Sequence, residues 1–83
     1  MKNQYYAIYD NVSELYGIPV LFQNEKMATR WFKDVINDPK GNETIFNNPN
    51  DFELWKLGTY DNSTGAIEPM ISKIVNGTSV KEV

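Results

Sequence analysis

One stretch, from Asn24 to Asp38, carries the 3.6-residue pattern of an amphipathic helix, and the rest of the chain reads as strands and turns. Its apolar residues Met27, Ala28, Trp31, Phe32, Val35 and Ile36 fall on one stripe. Lys26, Thr29, Arg30, Lys33, Asp34 and Asn37 make the polar side. Asn24 is placed to cap the first turn, and Glu25 to complement the helix dipole. Asp38 precedes Pro39, which pushes it out of helical geometry and ends the element. A chain of 83 residues with a single such helix covers one face of a sheet. The other face must be solvated, or covered by a ligand or a second subunit.

Strand patterns lie on both sides of the helix. Residues 4–9 (Gln-Tyr-Tyr-Ala-Ile-Tyr) and 18–22 (Ile-Pro-Val-Leu-Phe) read as a hairpin with a loop of about eight residues. Pro19 cannot donate to a ladder, so the second strand begins there or lies at an edge. Residues 39–50, with two prolines and a glycine, read as a loop tacked down by Ile45 and Phe46. A strand over 51–60, a turn over 61–65 and a return strand over 66–75 follow, with Pro69 marking an edge or a bulge. The expected fold class is α+β: an antiparallel sheet of about four strands, in the order β-β-α-β-β, with one amphipathic helix packed on one face. Residues 1–75 form the single domain, and 76–83 read as a flexible C-terminal tail.

Composition narrows the chemistry. With no histidine and no cysteine, the common zinc, copper and haem ligand sets are missing, as are His- and Cys-based nucleophiles. Asp61-Asn62-Ser63-Thr64-Gly65 opens like a calcium loop, but glycine falls fifth and Ser72 stands where the twelfth-position glutamate belongs, so it reads as a hairpin turn. The expectation is a non-enzymatic protein without catalytic residues, cofactor or metal. The absence of cysteine, of a signal-like start and of a long apolar run points to a soluble cytoplasmic protein with no membrane partner. Four Asn-x-Ser/Thr sequons, at Asn11, Asn42, Asn62 and Asn76, read as turn residues. Eleven acids against eight bases, a net charge of −3, disfavour gripping a duplex by neutralising phosphate. Single-strand binding is less constrained, because stacking on aromatic rings supplies much of its energy.

Aromatic residues make up 13% of the chain, which is high for its size, although a core this large could use most of them. Strand alternation has to say which are left outside. If Tyr6, Ile8, Trp55 and Leu57 face the helix, then Tyr5, Tyr9, Phe52, Lys56 and Tyr60 share the open face. The reversed register puts Tyr6 and Trp55 outside instead. On the helix, Lys26, Arg30 and Lys33 are spaced along one side and read either as a solvated face or as a strip for a phosphate backbone. Tyr5, Tyr9, Phe52 and Tyr60 are the candidate base-stacking residues, and Lys26, Arg30, Lys33 and Lys56 the candidate phosphate contacts.

Several short motifs, in order, resemble a known family. They are Tyr6-x-Ile8-Tyr9-Asp10, then Phe22-Gln-Asn24 leading to Ala28-Thr-Arg30-x-Phe32. Pro49-Asn-Asp51-Phe52-Glu53-Leu54-Trp55-Lys56-Leu57-Gly58-Thr-Tyr60-Asp61 follows, with Thr64-Gly65 after it. Together they are similar to the small nonstructural DNA-binding proteins of microviruses, chiefly the gokushovirus type. The likeness spans residues 5 to 67 and departs from the pattern at Pro19-x-x-Phe22 and in the long 40–48 loop. It implies a phage protein that binds single-stranded DNA during replication and the switch to single-strand synthesis and packaging. A homodimer would join two modest sites. The alternative is a protein-interaction module whose aromatic face meets a viral replication or capsid protein.

Overall fold

The structure is a computed structural model that describes residues 2–82. Strand β1 (Lys2–Asp10) is central and long. Strands β2 (Leu15–Tyr16) and β3 (Val20–Phe22) share its outer edge, pairing with its C-terminal and N-terminal parts respectively. On the other side β1 pairs with β4 (Phe52–Asp61), which pairs with β5 (Ile67–Asn76), and every ladder is antiparallel. Helix α1 (Glu25–Ile36) packs on one face of this sheet. The expected α+β architecture is therefore present, with the second strand broken in two. Pro19 has no N–H to give, and the Gly17 N–H reaches the Ile8 carbonyl at 2.8 Å between the two pieces.

Local chemistry explains the helix. Asn24 Oδ1 accepts from the Met27 N–H at 3.0 Å, and Glu25 sits in the first turn. Ala28, Phe32 and Ile36, four apart, are buried against Tyr6, Phe52 and Leu54. Trp31 and Val35 flank them half-buried, and Met27 lies at the exposed margin of the stripe. Phe22 leans on Trp31 with centroids 5.4 Å apart and closes the core toward β3.

Two stretches expected to be irregular are ordered. Within 39–50, Asn42 caps a short helix α2 (Glu43–Asn47), its Oδ1 accepting from the Ile45 N–H at 3.2 Å. The tail expected past residue 75 is instead a helical turn, α3 (Gly77–Val80), followed by a docked segment. Asn37, at the end of α1, donates to the Val80 carbonyl and accepts from the Glu82 N–H. Lys81 Nζ donates to the Phe46 and Ile36 carbonyls, at 3.0 and 3.4 Å, and lies 3.3 Å from the Phe46 ring centre. One ammonium thus answers the orphan carbonyls at the ends of two helices and gains a cation–π contact. Val83, the last residue of the expected tail, lies outside the described residues.

The sheet outruns its helix. Beyond Lys56, β4 and β5 continue together with Lys2–Tyr5 of β1 as an arm closed by the 61–65 turn, and the molecule measures 42 × 23 × 19 Å. At the other end Gly77 packs so tightly that a Cβ would overlap the Pro49 carbonyl and come within 2.8 Å of Ile36 Cδ1. Gly77→Ala should therefore lower the free energy of unfolding by about 1–3 kcal/mol. Urea unfolding checks this, with the exposed Thr78→Ala as a near-neutral control.

Candidate nucleic-acid interface

Register decides which residues share the uncovered face. Tyr6, Ile8 and Asp10 stand opposite Lys56, Leu54 and Phe52, and this set lies on the helix side. Tyr9 and Ala7 stand opposite Glu53 and Trp55, on the open side. Neither expected register is followed throughout, because a bulge interrupts β4. Tyr6 pairs with Lys56 but its neighbour Tyr5 pairs with Gly58, so Leu57 is an extra residue. The bulge reverses the alternation, and Tyr60 joins Tyr5 on the open face although Phe52 and Lys56 do not.

The expected site residues consequently separate. Tyr5, Tyr9 and Tyr60 are on the open face and half-buried. Phe52 is a correction: it is 7% exposed in the core beneath α1, where it cannot stack on a base. Lys56 is also corrected to the helix side, opposite Tyr6 and Ser72. Lys26, Arg30 and Lys33 are exposed on α1, across the sheet from the open face, and Lys33 is paired with Glu82 at 3.1 Å.

Residues that the sequence left in a turn or in an alternative register complete the face. Tyr16 stands opposite Tyr9, and their ring centres are 4.6 Å apart. Trp55 meets both edge-on, at 6.0 Å from Tyr9 and 5.9 Å from Tyr16. The second group is Tyr5 and Tyr60, with centroids at 6.3 Å. Tyr9 comes four positions after Tyr5 on β1, so the two platforms lie about 13 Å apart along the strand. Leu21, opposite Tyr5, extends the face toward the β3 edge.

Electrostatics differ between the platforms. Glu53 is buried beside the Tyr9 group, where its carboxylate accepts from Trp55 Nε1 at 3.0 Å and from Lys73 Nζ at 2.9 Å. Burial pushes its pKa up, but hydrogen bonds from Lys73, Trp55 and Asn11 and the Lys73 charge outweigh that and hold it below the ordinary glutamate value. The Tyr9 hydroxyl is pushed up, by burial first and then by the neighbouring charges of Glu14, Tyr16, Glu53 and Asp10. That end is acidic, and its one lysine, Lys73, is already held by Glu53. At the Tyr5–Tyr60 end Lys2 stands opposite Asp61 and alternates with Gln4 and Tyr6 onto the helix side, away from the rings. The Asp61 carboxylate is lowered by the Ser63 hydroxyl and N–H that it accepts, at 2.6 and 3.0 Å. No helix among the described residues is long and apolar enough to cross a membrane.

The model of the phage ORF5 protein family matches residues 3–80. The chain belongs to this family. Protein ORF5 of Chlamydia phage 1 is 33% identical over 73 residues, covering 86% of this chain and 76% of that protein. Chlamydia phage 1 is a gokushovirus, so the resemblance read from the sequence holds at the level of a microvirus protein. No solved structure matches the chain.

Glu53 gives this ORF5 family member a testable pH dependence. A carboxyl whose folded pKa is depressed adds stability that is present above its unfolded pKa and lost as pH falls through the folded value. Stability should decline through the acid range, and Glu53→Gln should flatten that decline. Urea midpoints from neutral to acid pH measure both.

Proposed function

We propose that this ORF5 family protein is a non-enzymatic single-stranded DNA-binding protein of the phage, working in the host cytoplasm. The observation that carries the reading is the uncovered sheet face with five aromatic rings in two groups, Tyr5–Tyr60 and Tyr9–Tyr16–Trp55. Such rings accept any base on their faces, and stacking contributes about 1–3 kcal/mol per base. Binding of this kind suits a chain with net charge −3, since local rather than global positive charge suffices. The role is to hold single strands as phage replication turns to single-strand synthesis and packaging.

Charge sets the polarity of the contact. The Tyr5–Tyr60 platform, away from the buried Glu53, takes the bases, while the acidic Tyr9 end keeps phosphate at a distance. Lys26 and Arg30 lie across the sheet and serve as a secondary phosphate track. A second reading, with a viral protein on the same face, is favoured by the Glu53–Lys73 pair, which already neutralises the lysine of the Tyr9 group.

Fluorescence anisotropy with an unstructured oligonucleotide, titrated with salt, tests the proposal. Tyr60→Ala should weaken binding about 5- to 150-fold, the equivalent of one lost stack. Tyr9→Ala should cost less. Lys26→Ala with Arg30→Ala should reduce the salt slope and affect oligonucleotide sequences alike. No binding to DNA or RNA at low salt would refute the nucleic-acid reading and leave the protein partner.

A further inference from the structure

The Tyr5–Tyr60 platform has a polar neighbour that the stacking of bases leaves unused. Asn3 alternates with Tyr5 on β1 and stands opposite Tyr60, so all three belong to the open face. Cross-strand partners of this kind hold their Cβ atoms about 5 Å apart. The flanking residues are apolar. Leu21 stands opposite Tyr5 and is 40% exposed, and Ile67 stands opposite Tyr60 and is 62% exposed. A base lying on these rings meets hydrocarbon toward β3 and toward β5, and a carboxamide at Asn3.

Elsewhere the chain uses its carboxamides on itself. Asn24, Asn42 and Asn76 accept N–H groups at helix starts. Asn37 and Asn48 donate to carbonyls near helix ends, and Gln4 accepts from the Tyr6 hydroxyl on the helix side. The half-buried Asn3 amide has no such partner among the described residues. No sealed polar side-chain atom among them is left unsatisfied, so this amide is open to solvent. Charge offers little on the same face. Lys2 and Lys56 lie on the helix side, Lys26 and Arg30 are on α1, and Lys73 is held by Glu53 at 2.9 Å. The polar part of a base contact here falls to neutral groups.

We propose that Asn3 reads the Watson–Crick edge of the base stacked on Tyr5 and Tyr60, a contact that rests on the single-strand reading above. A carboxamide sets an acceptor oxygen beside an N–H donor. Every base sets a donor beside an acceptor on that edge, such as N3–H beside O4 in thymine or the N4 amine beside N3 in cytosine. Turned over about its last torsion, the amide matches either order, so the contact tolerates any sequence. It does not tolerate pairing, because in a duplex the same atoms already bond the opposite strand. Asn3 thereby selects unpaired strands, which phosphate contacts alone do not, since both forms carry phosphate.

Fluorescence anisotropy with oligo(dT), and with the same oligonucleotide built from N3-methylthymidine, tests the contact. The methyl group blocks the edge and leaves the phosphates and the ring face in place. Wild-type protein should bind the methylated strand about 2- to 10-fold more weakly, the weight of one hydrogen bond between neutral groups. Asn3→Ala should bind oligo(dT) weaker by a similar factor and no longer distinguish the two strands. The wild-type comparison needs no variant, so it stands whether or not the alanine protein folds. Equal binding of both strands by the wild type would overturn the Asn3 contact and leave base stacking intact. So would an Asn3→Ala protein that still discriminates between them. Failure of the wild type to bind either strand would overturn the single-strand reading, and this contact with it.

Discussion

Helix α1 has 12 residues and so spans about 18 Å, whereas the 10 residues of β4 run for about 33 Å. This mismatch governs the molecule. Where α1 lies over the strands, Tyr6, Phe52 and Leu54 are buried against Ala28, Phe32 and Ile36, and a continuous core forms. Where it does not, the sheet continues as an arm whose apolar residues Ile67, Met70 and Ile71 stay in solvent. The rings are uncovered for a different reason: they lie on the face of the sheet opposite α1.

The helix and its core stripe were legible because a 3.6-residue period, an asparagine cap and a terminating Asp-Pro pair agree with one another. The two hairpins were legible from strand composition and turn residues. Which side chains of β4 face outward was not. Phe52, Lys56 and Tyr60 share a parity and read as one face, but a single extra residue at Leu57 divides them. Nothing about a leucine in a strand announces a bulge. Gly58 beside it is the available signal: a Cβ there would overlap the Glu68 carbonyl of the neighbouring strand. Tyr16 escaped notice because it lies in a strand of two residues, too short for any period to register.

The separation of charge from rings is the principal revision to the candidate site. Lys26 and Arg30 share a face of α1 and Tyr5 and Tyr60 a face of the sheet, but the sheet stands between the pairs. A sequence orders residues along a line and does not show which side of a layer they reach. The lysine that does lie with the Tyr9 group, Lys73, comes from the return strand and is held by Glu53.

The contacts of Lys81 bear on how the chain is made. Its ammonium joins carbonyls laid down 35 and 45 residues earlier, and Asn37 waits for Val80 and Glu82 across similar distances. A nascent chain that has emerged as far as Asn76 holds every strand of the sheet, yet the carboxyl ends of α1 and α2 still lack their partners. The carboxyl ends of both helices are therefore satisfied only once residues 77–82 have left the ribosome.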